Sequence, residues 1–435
     1  MSARPNILQI ITHDLGRYLP CYGWRAVEAP NLTRLAASGV VFEQNYAASI
    51  CCSPARGCLM TGRYAHESGL VGLVNRGWDY RPNERTLAHE LAEAGYRTLL
   101  FGLQHETSGD PRATGYAEVW GESTDAHAVA GQAEAFFKHE AAGAAPFYLN
   151  LGFVEVHRAW DKDAYEPADA SAVEVPAYLP DAPEVREDLA RFYGCIKYMD
   201  AAVGRILAAL EASGLAESTL VVFTTDHGEA FPRAKGTLFD PGVGTALIAR
   251  LPGGASDLRV DALTSHLDLA PTFLELAGAP VPERMHGASL LTALRGEAFA
   301  GHEAVFFEKN FHRTYDPVRA VRTKRHKLIR SFREGMPAVA VPRDVEEGPC
   351  GRNLRPDFIT PRPAEELYDL ESDPNEEKNL AGDASLADVK AKLTARLDAW
   401  MRETGDFLLT SEVPAPPRPG NQPMDLPEHQ RPRKK

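Results

Sequence analysis

The stretch CCSPARGCLMTGR, Cys51–Arg63, gathers three cysteines and two arginines around a single proline. A buried cysteine is ordinarily a small hydrophobe, whereas a cysteine at a helix start beside an arginine is a candidate reactive centre. Pro54 suits the first helical position, where its missing N–H costs nothing, and Ala55–Met60 can continue the helix. Cys52 then stands at the helix entrance, where free N–H groups and the helix dipole favour negative charge. Arg56 follows one turn later and can reach the same anion. Cys51 has no proline two residues on, and Cys58 falls deep in the helix. A thiolate phosphatase is disfavoured, because its cysteine-to-arginine spacing meets Gly57 when counted from Cys51 and Cys58 when counted from Cys52.

Other polar residues fall just past apolar runs. NILQIIT (Asn6–Thr12) reads as a strand that ends at His13-Asp14, YRTLLFG as one ending just before His105, PFYLNLGFVEVH as one ending at His157, and TLVVFTT as a buried strand followed by Asp226-His227. Between them NLTRLAASG, TLAHELAEAG and AAVGRILAALEASG carry helical spacing. This alternation predicts an α/β fold with a large, mainly parallel sheet sandwiched by helices. Ligands in such sheets bind beyond the carboxyl ends of the strands. His13, Asp14, His105, His157, Asp226 and His227 are therefore expected to converge despite their separation in sequence.

The pattern changes near residue 300. A catalytic α/β domain is expected over 1–305 and a smaller α+β domain over 306–410, with VRAVRTKRHKLIRSF strand-like and Ser385 capping a helix. Residues 411–435, rich in proline and charge, read as a flexible tail. The chain has 435 residues with 44% hydrophobic and 25% charged side chains, which fits a globular enzyme rather than a disordered protein. Its net charge of −13 argues against non-specific nucleic-acid binding, so an anionic substrate needs a local basic pocket. The apolar run at Ile7–Ile11 is too short for a secretory signal, and no run is long enough to span a membrane. The expectation is a cytoplasmic protein without a membrane partner. The six cysteines have no paired C-x-x-C spacing, so neither a structural zinc site nor a disulfide framework is expected.

Cys52-Ser53-Pro54-Ala55-Arg56, followed by Leu59 and Thr61-Gly62-Arg63, resembles the signature of the formylglycine-dependent sulfatase family, in the alkaline phosphatase superfamily. RPNILQIITHDLG, FTTDHGEAFPRAKGTL, HLDLAPTFLELAGAPVPERMHGASL and ELYDLESDPNEEKNLA are similar to further segments of that family. DHGEAFPRAKGTLFDPG and YDPVRAVRTKRHKLI look closest to its heparan N-sulfatase (sulfamidase) branch. The resemblance implies that Cys52 is oxidised to formylglycine by a maturation enzyme. One hydroxyl of the hydrated aldehyde attacks sulfur, the alcohol or amine leaves, and the other hydroxyl expels sulfate.

The same resemblance implies one divalent metal, held by His13, Asp14, Cys52, Asp226 and His227, with calcium the usual ion. His13 departs from the family's customary aspartate; it either ligates, which leans towards manganese or zinc, or turns away to a neighbour. His105 matches the histidine that assists sulfate loss, although Leu103 stands where a lysine is usual. His157 matches the histidine near the leaving group, and Lys235 the basic residue that also contacts sulfate. Arg63 reads as an ion-pair former behind the helix, and His312, Arg319 and Arg322 as residues that reach a sulfated sugar. The implied partner is an anionic small molecule or oligosaccharide, N-sulfoglucosamine-like, with homo-oligomerisation left open. Two other functions fit the motif: a phosphonate or phosphodiester hydrolase on the same fold, and an unmodified, inactive relative that binds sulfated ligands.

Overall fold

The computed structural model describes residues 4–411 apart from 142 and 144. The expected tail lies almost wholly outside the described residues. Eight strands form the main sheet: β1 (Asn6–Thr12), β2 (Val40–Tyr46), β3 (Arg97–Gly102), β4 (Glu118–Trp120), β5 (Phe147–Gly152), β6 (Thr219–Thr225), β7 (Leu247–Arg250) and β8 (Leu258–Ser265). Their spatial order is β4-β3-β5-β1-β6-β7-β2-β8. The strands share one direction except β7, which pairs antiparallel with both β6 and β2. The reason is the connection: β6 returns through a loop holding only the short helix Asp240–Val243, with no crossover to carry the chain back.

Central strands are buried on both faces, which is why β1, β5 and β6 read as near-continuous apolar runs. On β1, Leu8 and Ile10 pack towards the layer containing the helices Ala126–His139 and Pro183–Ala212. Ile7 and Ile11 point the other way, onto the helices Leu87–Glu93 and Leu269–Ala277. Truncating one such isoleucine to alanine costs about 2–5 kcal/mol. The helix read from AAVGRILAALEASG starts eighteen residues before that segment, at Pro183. The eighteen residues before that segment carry Asp188, Gly194 and Asp200 among apolar residues, which blurs the periodicity.

A second, antiparallel sheet is built from β9 (Val305–Phe311), β10 (Tyr315–Arg322), β11 (His326–Ser331) and β12 (Glu365–Asp369), in the order β12-β11-β10-β9. The strand-like VRAVRTKRHKLIRSF is thus a hairpin turning at Thr323–Arg325. The helix Ala387–Glu403 covers this sheet through Leu393, Leu397, Trp400 and Met401. Its lead-in is capped by the Asp383 carboxylate, which accepts the Ser385 N–H at 2.9 Å; Ser385 is not the cap. The small sheet is fastened to the loop after β6 through Asp240, which lies 2.5 Å from Lys327 Nζ and 3.1 Å from the Arg322 guanidinium. No helix among the described residues is long and apolar enough to cross a membrane.

Candidate active site

Strand register brings the first acidic residues together. Thr12 of β1 pairs with Thr225 of β6, so Asp14 and Asp226 leave adjacent strands side by side. Asp14 takes a left-handed backbone (φ 53°), which aspartate tolerates better than most residues. Its N–H donates to Asp226 Oδ1 at 3.0 Å. The helix Cys52–Thr61 starts at Cys52, so Pro54 is third rather than first; its missing N–H is still one of the unpaired donors of the first turn. Cys52 Sγ lies 3.3 Å from His227 Nε2. Arg56, fully buried, donates to Asp226 Oδ2 (3.3 Å) and to the Thr12 carbonyl (3.0 Å), so it braces the carboxylate and the strand end.

His105 and His157 arrive on loops after β3 and β5. Gly152 ends β5 because a Cβ there would sit 1.8 Å from the Leu103 carbonyl; this close approach holds the His105 loop against the strand. The rings of His105 and His157 lie 6.2 and 4.7 Å from that of His13. Lys235, on the loop after β6, places Nζ 2.6 Å from Asp14 Oδ2, 2.6 Å from Asp344 Oδ2 and 3.3 Å from His157 Nε2.

The electrostatics follow from burial. Burial alone would raise the Asp14 and Asp226 carboxyls, but Lys235 and the histidines beside Asp14, and His13, His227 and Arg56 beside Asp226, hold both well below the usual carboxylate range. Burial would lower Lys235, yet Asp14 and Asp344 overcome it and keep the ammonium charged. Burial pushes His105 down to about 3, and burial together with Lys235 pushes His157 down to about 4. Burial also drives the Cys52 thiol well up; Lys235 opposes this and the two aspartates reinforce it. As a thiol, Cys52 is a poor nucleophile here.

Ligand atoms of His13, Asp14, Cys52, Asp226 and His227 all lie within 4.8 Å of one another. His227 Nδ1 faces the Gly228 carbonyl at 3.0 Å, which turns Nε2 towards Asp14 Oδ1 at 3.2 Å. An imidazole nitrogen and carboxylate oxygens converging on one buried point are a donor set that a cation takes up. His13 points inward as well, with Nδ1 2.9 Å from Asp14 Oδ1 and 3.2 Å from Asp226 Oδ2. The residues present therefore fit a divalent ion.

Sequence reasoning did not single out Asp344. It sits in the first turn of the helix Arg343–Glu347, after Pro342, and nothing in its spacing ties it to the strand ends. Of the three residues expected to reach a sugar, His312 lies near the site: burial and then Lys235 push its pKa down to about 3. The other two are placed elsewhere. Arg319 is buried against Asp406, at 2.5 Å, and Arg322 pairs with Asp240 at 3.1 Å, because buried guanidinium groups need carboxylate partners. Arg63 pairs with Glu84 at 2.8 Å behind the helix.

An eight-stranded mixed sheet with helices on both faces, a small antiparallel sheet and a metal-fit cluster at the strand ends together define an alkaline phosphatase-like enzyme. The solved phosphonate monoester hydrolase from Silicibacter pomeroyi shares this fold (TM-score 0.73, 22% identity, 93% of this chain and 97% of that one). The chain belongs to the sulfatase family: the sulfatase family model matches residues 5–279, and that for the C-terminal region of N-sulphoglucosamine sulphohydrolase matches 228–340. It is 30% identical to an ulvan-active sulfatase of Formosa agariphila, over 93% of this chain and 76% of that protein. It is 28% identical to human N-sulphoglucosamine sulphohydrolase, over 93% and 91%.

Proposed function

We propose that the protein hydrolyses the sulfamate of an N-sulfoglucosamine-like sugar, with Cys52 as the residue matured to formylglycine. The observation that carries this reading is the seat of Cys52 Sγ inside the cluster of carboxylates and imidazoles. Its support on the substrate side is the match of residues 228–340 to the C-terminal region of N-sulphoglucosamine sulphohydrolase. The formylglycine and a divalent ion held by His13, Asp14, Asp226 and His227 would supply the nucleophile and the pull on sulfate charge. Two imidazoles beside two carboxylates favour manganese or zinc over calcium.

The chain's own residues do the rest. Lys235 offers a fixed positive charge for a sulfate oxygen. His157 Nδ1 bonds the Arg158 carbonyl and therefore carries the ring proton, which leaves Nε2 to accept from Lys235. His157 thus rests neutral, with Nε2 turned to the lysine; a proton passed to a leaving nitrogen or oxygen comes from the Lys235 ammonium through Nε2, and solvent reprotonates the lysine afterwards. His105, neutral and half-buried, keeps Nδ1 without a protein partner, so the ring is free to take a proton as sulfate departs.

The test is turnover after co-expression with a formylglycine-generating enzyme. N-sulfoglucosamine, nitrophenyl sulfate and phenyl phosphonate are compared. Hydrolysis of the sulfamate is expected. Preference for the phosphonate would replace this reading with the phosphonate hydrolase one, and binding without turnover of any of the three would leave a ligand-binding relative.

A further inference from the structure

The rim of the site carries an ionised carboxylate that the steps above leave unused. Asp344 Oδ2 is engaged by Lys235 at 2.6 Å and lies 3.8 Å from His157 Nε2. Among the described residues no hydrogen bond is made to Oδ1, and the side chain is 24% exposed. This oxygen is therefore an open acceptor, beside the two residues that face the leaving group. It is also held in place. The turn bearing His312 is tied to the helix Arg343–Glu347 by Arg313 and Glu346, 2.5 Å apart. Behind that helix, Arg158 grips Asp188 at 2.7 Å and Asp188 accepts the Cys350 N–H at 3.2 Å. A charged acceptor on a rigid support is suited to reading one donor on a substrate.

We propose that Asp344 is a specificity-determining residue that accepts a hydrogen bond from a hydroxyl on the carbon adjacent to the one bearing the leaving group. The inference rests on the sulfated-sugar reading above and narrows it. The substrate class is a sulfated ring whose neighbouring hydroxyl is free, because a carboxylate oxygen rewards a donor there and leaves an analogue without one facing an unfilled acceptor. Sites built around such a bond reject the analogue lacking the hydroxyl far more strongly than apolar pockets reject a missing methylene.

The test is a two-by-two comparison of kcat/KM. The matured enzyme and its Asp344→Ala variant are each assayed on N-sulfoglucosamine and on its 3-deoxy analogue. The native enzyme is expected to lose about tenfold or more when the hydroxyl is removed, and the variant about twofold or less. Asp344→Glu should restore part of the discrimination. Asp344→Asn, which keeps the volume, gives an intermediate penalty and serves if the alanine variant does not fold. A purely structural role would lower both substrates together and leave their ratio unchanged, and that result overturns the proposal. So does a native enzyme that cleaves both sugars equally. Cleavage of nitrophenyl sulfate with none of N-sulfoglucosamine would instead overturn the sulfated-sugar reading and this inference with it.

Discussion

The floor and the rim of the site are built by different rules. The floor comes from residues immediately after β1 and β6 and from the first turn of the helix Cys52–Thr61, and its side chains are almost wholly buried. The rim comes from His157, His312 and Asp344, on loops and a short helix, and its side chains keep partial exposure. Floor positions are dictated by strand register, so small displacements there are resisted by the whole sheet. Rim positions depend on local ion pairs such as Arg313–Glu346. A shared chemistry can therefore stay fixed while the leaving group it accepts changes with the rim.

The harshest challenge to the floor is Cys52→Ala. Turnover should fall by about a thousandfold or more, as for loss of a covalent nucleophile, with the melting temperature little changed. Peptide mass spectrometry should find formylglycine at Cys52 and free thiols at Cys51 and Cys58. Conversion at Cys51 would sink the assignment. Next comes the cradle: Asp226→Asn should release the bound ion, leave the Asp14 N–H and Arg56 without their carboxylate, and cut activity by at least a hundredfold. Elemental analysis of the native protein should find manganese or zinc in near-stoichiometric amount, and calcium alone would show that His13 does not steer the metal.

At the rim, His157→Ala should impair N-sulfoglucosamine about ten to a hundred times more than nitrophenyl sulfate. An amine leaves poorly without a proton, whereas nitrophenolate leaves unaided. An equal fall on both would make His157 a sulfate-binding or shaping residue. The mildest effect lies outside the site. Burial would raise Glu308, but His66, Arg319 and Asn310 more than compensate and bring it to about 2. Its folded pKa is below the unfolded one of about 4.5, so its contribution is complete above pH 4.5 and is lost as the pH falls towards 2. Glu308→Gln should flatten the acid limb of the stability curve by up to about 3 kcal/mol, read from urea midpoints between pH 5 and 2.5.

Legibility in the sequence follows the same division. Asn6–Thr12 and Thr219–Thr225 are read correctly as strands because burial on both faces leaves only Gln9 as a polar residue inside the first run and none within Leu220–Phe223, and the residues just beyond them are conspicuous for that reason. The antiparallel course of β7 is hidden, since three apolar residues and an arginine carry no mark of direction. Asp344 is silent for a different reason: its place depends on how a separate sheet docks, and no local spacing encodes that. Arg319 and Arg322 mislead in the opposite sense. Their partners Asp406 and Asp240 lie 87 and 82 positions away, so buried bracing looks in sequence like free positive charge.

The burial of Cys52 sets a deadline. With 3% of its surface exposed, it is out of reach of any second enzyme once the sheet has closed over it. Closure needs His227, 175 positions further along the chain. At translation rates of about 5–20 residues per second, that separation opens a window on the order of 10–30 s between synthesis of the two residues. On the maturation proposed above, oxidation of Cys52 would have to win a race against folding inside that interval. The active fraction of a preparation is then a record of relative speeds: slower synthesis or delayed collapse of the first strands raises it, and no treatment of the folded protein recovers what was missed.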